Sequence, residues 1–142
     1  MRSERMRVVS EIYRISKMGM EAAEIILPKV REEELKSRIA GERENYWNFA
    51  ERSAEILRKN GAEPETRRRM RERFLHGYVD FGTLMNKSPQ HISGMMISGK
   101  VMGMMDVTKV MNRNAESFEN MRLAEEYLDT EQRNVDLLSK YL

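Results

Sequence analysis

The sequence predicts an all-α protein, a bundle of four long helices with an additional helical crossover segment. Three observations carry this. Long stretches space their apolar residues at alternating steps of three and four, and none alternates convincingly with period two. The strongest stop signals, Pro28, Asn60-Gly61 with Pro64, and Asn86-Lys87-Ser88-Pro89, fall between those stretches. The 142 residues suffice for one domain, 1–142, with a real core.

The first helix is expected from about Arg5 to Leu27. Val8, Ile12, Ile15, Gly19, Ala22 and Ile26 share one face, and Pro28 ends it. The second runs from about Lys29 to Asn60, with Leu35, Ile39, Glu42, Tyr46, Phe49, Ser53 and Ile56 inside. Glu32, Glu33 and Glu34 open it and Arg58 and Lys59 close it, the signs that the helix dipole favours. The third, about Glu65 to Met85, is weaker, with Met70, Phe74, Tyr78, Phe81 and Met85 on a narrow face and Gly77 and Gly82 in its second half. The fourth runs from Ser88, an N-cap followed by Pro89, to Met111, with Asn112 to Asn114 marking its end. Its only charges are Lys100, Asp106 and Lys109, and its apolar residues surround it, so it is expected to be the buried central helix. The fifth runs from about Ala115 to Leu142. Phe118, Met121, Glu125, Leu128, Glu131, Val135, Leu138 and Leu142 are its expected inner face.

Short turns make the first and second helices antiparallel, and likewise the fourth and fifth. The third segment, about 30 Å long at the helical rise, can carry the chain back along the bundle. That leaves the second and fourth helices parallel.

Composition excludes several classes. There is no cysteine, hence no disulfide or thiolate metal site. Basic and acidic residues nearly balance, 25 against 23, which argues against nucleic acid or an anionic membrane as a general partner. The N-terminal stretch lacks the apolar core of a signal peptide, and the least polar run, Ile92 to Met105, is too short and polar for a membrane span. A cytoplasmic protein is expected. No nucleophile–base arrangement, phosphate loop or zinc cluster is present, so an enzyme is not the preferred reading.

A short pattern occurs twice. Met18-Gly19-Met20 in the first helix returns as Met102-Gly103-Met104 in the fourth, and each is followed on the next long helix by Glu-x-x-Asn, at Glu42–Asn45 and Glu131–Asn134. Two such halves would be related by an approximate two-fold axis. Gly19, Gly99 and Gly103 are the expected points of close helix crossing, with Gly19 and Gly103 facing each other.

The stretches KMGMEAAEIILPKV, NGAEPE, SPQHISGMMISGKVMGMMDVTKVMN and EQRNVDLLSKYL cover most of the chain together with their spacing. Through them it resembles a group of short, uncharacterised bacterial proteins of the ferritin-like superfamily. The resemblance implies a ferritin-like four-helix bundle and carries over no activity. It also raises a metal reading, with iron or manganese as the cofactor. A di-iron bundle uses one Glu from each of two helices and Glu-x-x-His from each of the other two. Glu42 and Glu131 hold the Glu positions of those motifs, but Asn45 and Asn134 replace both histidines. Glu11 is near one partner position. The other falls near Ser98, and Gln90 to Met105 holds no acid. Where the family has an acid before its paired methionines, this chain has Gly94. The metal candidates are thus Glu11, Glu42, Glu131 and, more remotely, His91, an incomplete set. Without metal, Glu42 and Glu131 are expected to be satisfied by Arg14, Asn45, Asn134, Tyr46 or water.

Asp106 is read as pairing with Lys109 or Lys100. The 13 methionines, six of them between Met95 and Met111, read as core filling around glycines. Arg67, Arg68, Arg69, Arg71 and Arg73 form a basic cluster that could meet an acidic partner or phosphates, and a solvated face is the simpler reading. The preferred function is a non-enzymatic bundle acting by association, as a homo-oligomer, most simply a dimer, or with another protein. A degenerate carboxylate metal protein comes second and an adaptor using the arginine cluster third.

Overall fold

The computed structural model describes residues 4–65 and 87–142. These form four long helices: α1 (Arg7–Ile26), α2 (Glu33–Lys59), α3 (Pro89–Arg113) and α4 (Phe118–Leu138). Single 3-10 turns precede α1 and follow α1 and α4. There is no strand among the described residues, and none of their helices is long and apolar enough to cross a membrane. Apart from Glu65, the expected crossover helix lies outside the described residues, and with it Arg67, Arg68, Arg69, Arg71 and Arg73.

Local chemistry sets the helix ends. After α1 the chain tightens into a 3-10 turn, Leu27–Lys29, around Pro28. At the end of α2, Gly61 takes φ 72°, its N–H donates to Arg58 O at 3.1 Å, and Ala62 N–H donates to Leu57 O at 2.9 Å. That pair of bonds is a Schellman stop, and the left-handed φ is why glycine stands there. Ser88 Oγ caps α3 by accepting from His91 N–H at 3.2 Å, with Pro89 first in the helix. Ser117 caps α4 in the same way through Asn120 N–H at 3.2 Å, so that helix starts slightly later than Ala115. No side chain of its own caps α1. Instead Glu116, from the α3–α4 connection, accepts from Val8 N–H at 2.6 Å and from Asn120 Nδ2 at 3.0 Å. A carboxylate thus meets the positive end of α1.

The core clusters give the topology. One end of the bundle joins Ala23 and Ile26 of α1, Leu35 and Ile39 of α2, Ile92 of α3 and Leu138 of α4. The other joins Val8 and Ile12, Phe49, Val107, and Leu123 and Tyr127. Each hairpin is therefore antiparallel and α2 runs parallel to α3, as expected. The end of α2 and the start of α3 lie at opposite ends of the bundle.

Three expectations are corrected. The central helix is α1, which packs against α2, α3 and α4. α3 buries Ile92, Ser93, Lys100, Gly103 and Val107 on one side, while Val101, Met102 and Met105 stay 42%, 53% and 52% exposed. Its apolar residues span a wider arc than its neighbours cover, and all-round hydrophobicity does not by itself mean all-round burial. Next, Gly19 and Gly103 do not face each other. A Cβ on Gly19 would lie 2.7 Å from the Tyr46 ring of α2, whereas one on Gly103 would lie 3.1 Å from Ile15 Cγ2 of α1 and from Tyr127 Oη of α4. Each glycine makes room for a tyrosine of its own hairpin, and Gly103 also admits α1. Gly99 is half-buried. Finally, the inner face of α4 is Asn120, Leu123, Ala124, Tyr127, Glu131, Asn134 and Leu138, about one residue off the expected stripe, and Phe118 is 82% exposed. Polar Asn120 and Asn134 belong to the interior, and a stripe drawn through apolar residues misses them.

Candidate functional site

Glu42 and Glu131 project from α2 and α4 into the bundle, each side chain only 2% exposed. The second and fifth predicted helices thus bring both carboxylates inside, as their periodicity requires. They meet on Lys100. Its ammonium, also 2% exposed, forms an ion pair with Glu42 Oε1, lies 3.3 Å from Glu131 Oε2 and donates to Tyr46 Oη at 2.6 Å. Tyr46 in turn donates to Glu131 Oε1 at 2.5 Å. Asn134 Nδ2 donates to Glu131 Oε2 at 3.2 Å and approaches Asn45 Oδ1 at 3.4 Å. The two Glu-x-x-Asn motifs therefore face each other across the α2–α4 seam.

Lys100 Nζ is 4.7 Å from the centroid of the Tyr46 ring. The much shorter contact to Oη puts the ammonium beyond the ring edge, so the interaction is a charge-assisted hydrogen bond rather than a cation over a π face. Burial pushes the Tyr46 hydroxyl well above the usual phenol range, reinforced by the charge and hydrogen bond of Glu131. Tyr46 therefore keeps its proton and remains a donor. Burial also raises the Glu42 carboxyl, against the opposing pull of Lys100. The cluster holds two carboxyl groups against one ammonium, and a shared interior disfavours a second full negative charge.

The expectation that Arg14 pairs with Glu42 or Glu131 is corrected. Arg14 binds Glu11, through Nε at 3.1 Å and through an ion pair at Nη2, and lies 3.8 Å from Asp106. Asp106 accordingly faces Arg14 rather than Lys100. Glu11, Arg14 and Asp106 make a separate, half-exposed set. The hydroxyl of Tyr127, which burial holds well above the usual phenol range, feels both Glu131 and Glu11. His91 lies in the first turn of α3, roughly 13 Å along the helix from Lys100.

These residues do not fit a di-metal centre. Of the four candidates only Glu42 and Glu131 are brought together, and the ammonium of Lys100 already lies between them. No group of three or more His, Cys, Asp or Glu able to hold a metal ion exists among the described residues. Sequence reasoning missed Lys100 as the partner, although a signal was present. It is the only charge between Gln90 and Met105, and with Ile92, Met96, Gly103 and Val107 it follows the helical three-and-four spacing.

A cleft of about 460 Å³ lies along the α2–α4 seam, lined by Glu34, Ser37, Arg38, Gly41, Glu42 and Asn45 of α2 and by Asn134 of α4. Past Asn45 the seam continues as a second cleft of about 390 Å³ beside Phe49, bordered by Arg52 and Glu126, which pair at 2.7 Å. Comparison with family models, curated proteins and solved structures gives no match for this chain.

Proposed function

We propose that the protein is a ferritin-like helical bundle in which a lysine stands where a metal centre would form, and that it acts by association, without redox chemistry. The observation that supports this is Lys100 between Glu42 and Glu131. Two carboxylates at matching depth on the second helices of two hairpins, joined by a long connection between parallel helices, is the ferritin-like arrangement. A divalent cation would have to displace the ammonium and would find asparagine where imidazole is needed, and amides are weak ligands for iron. Self-association is assigned to the outward side of α3, where Val101, Met102 and Met105 form an apolar strip that the described helices leave exposed.

Elemental analysis of protein purified without chelator is expected to give iron and manganese far below one equivalent per chain. Sedimentation at micromolar concentration is expected to give a dimer that Met105→Lys dissociates. A monomeric parent protein would overturn self-association through α3. Near-stoichiometric iron or manganese, lost in Glu42→Gln and Glu131→Gln, would overturn the reading as a whole in favour of a carboxylate metal protein.

A further inference from the structure

Two residues that line the cleft over the charge cluster each hold a buried polar atom without a hydrogen-bond partner among the described residues. Glu42 Oε2 has no hydrogen-bond partner among the described residues, although its side chain is only 2% exposed and its other oxygen is held by Lys100. One turn earlier on the same helix, Arg38 Nε is buried and likewise has no partner there. Both residues line the same cleft. A buried acceptor without a donor and a buried donor without an acceptor are each costly, and α2 keeps one of each within a turn. They do not satisfy each other.

The rest of the cleft suits a small polar molecule. A Cβ on Gly41, which also lines the cleft, would meet nothing within 4 Å, so that side of the cleft is open. Among the described residues Asn45 Oδ1 accepts only the long 3.4 Å contact from Asn134, which leaves acceptor capacity beside Glu42. Ser37 adds a hydroxyl on the Arg38 side. The buried cluster also carries two carboxyl groups against one ammonium, so a positive group is favoured at the Glu42 end. A volume near 460 Å³ lies within the usual range for small-ligand sites.

We propose that this cleft binds a small zwitterion of the amino-acid class, with its ammonium on Glu42 Oε2 and Asn45 Oδ1 and its carboxylate on Arg38 and Ser37. A simple amine would leave Arg38 Nε unused, and a simple carboxylate would leave Glu42 Oε2 unused while adding negative charge. The proposal requires neither association nor a metal, and it stands apart from the α3 face.

The test is calorimetric titration with glycine, β-alanine, γ-aminobutyrate and 6-aminohexanoate, which span the separation of the two charges. Butylamine and butyrate serve as one-ended controls. At least one zwitterion is expected to bind about tenfold or more tightly than both controls. Its binding should shift the backbone amide resonances of Gly41 and Asn134. Glu42→Gln should weaken that zwitterion about tenfold without weakening butyrate, and Arg38→Gln should weaken it about tenfold without weakening butylamine. Thermal melts check that both variants are folded. No zwitterion binding below about 10 mM, an advantage over either control smaller than about tenfold, or binding that leaves Gly41 and Asn134 unperturbed would each overturn the proposal.

Discussion

The α1–α2 and α3–α4 hairpins carry the same short motifs, Met-Gly-Met on the first helix and Glu-x-x-Asn on the second, yet they are packed differently. In the first hairpin the leading helix is surrounded by the other three, and its buried residues are Val8, Val9, Ile12, Ile15, Ser16, Ala23 and Ile26. In the second, the leading helix is covered on one side and exposes Val101, Met102 and Met105 on the other. The same asymmetry reaches the centre. Three residues before the glycine, α3 places Lys100 and α1 places Ser16, both buried. Lys100 engages both Glu-x-x-Asn motifs, whereas Ser16 Oγ has no hydrogen-bond partner among the described residues. Two similar halves thus share one interior cation, supplied by the second half only. The difference teaches that the carboxylates and asparagines leave the occupant of a bundle centre open. One residue on a neighbouring helix, lysine rather than an acid, decides it.

The largest expected effect comes from removing that cation. Lys100→Met leaves Glu42 and Glu131 buried without their ammonium, and breaking a buried pair in this way costs about 3–5 kcal/mol. Denaturant unfolding at neutral pH measures it. A loss under about 1 kcal/mol would show that the cluster contributes little and that the two hairpins do not differ at their centre.

Next are the two glycines. At Gly19 an added methyl would strike the Tyr46 ring, which cannot swing aside because Glu131 and Lys100 hold its hydroxyl. Gly19→Ala is therefore expected to cost about 1–3 kcal/mol. At Gly103 the nearest atoms are the Ile15 methyl and the Tyr127 hydroxyl, which need to yield only slightly. Gly103→Ala gains about 1 kcal/mol of helix propensity, so its net change should be near zero. Gly103→Leu has no such room and should lower the melting temperature clearly. Equal losses for the two alanine variants would erase the distinction between a fixed and a yielding tyrosine neighbour.

The smallest effect separates the two carboxylates. Glu131 accepts from Tyr46, Lys100 and Asn134, while Glu42, among the described residues, forms an ion pair with Lys100 only. Glu42→Gln should stay within about 1–2 kcal/mol of the parent at neutral pH. Burial raises the folded-state Glu42 carboxyl above its ordinary value of 4.5, so its stabilising contribution is complete below that pH and is lost as the pH rises through the folded value. The variant should lack this decline, and its stability-versus-pH curve should be flatter above pH 4.5 than that of the parent. Curves of identical slope would mean that Lys100 compensates Glu42 fully against its burial.

Much of the fold was legible because helix periodicity and stop signals are local. The expected inner face of α2 agrees with the observed one from Leu35 to Ser53, and Ser88-Pro89 and Asn60-Gly61 act as their chemistry requires. The burial of Glu42 and Glu131 followed from the same spacing. The faces of α3 and α4 were harder to read. A helix apolar all round gives no direction, and a face that buries asparagine looks polar in sequence.

The sequence by itself determined the four helices, the Ser88 cap of α3, the Gly61 stop of α2, the antiparallel hairpins and the depth of both carboxylates, since each follows from residues a few positions apart. Only the tertiary structure decided that α1 rather than α3 is central, that each glycine meets a tyrosine rather than the other glycine, and that Lys100 joins Glu42 to Glu131. Those outcomes depend on which faces meet across residues far apart in sequence, from 24 positions for Gly103 and Tyr127 to 88 for Gly103 and Ile15, and short-range spacing does not carry that information.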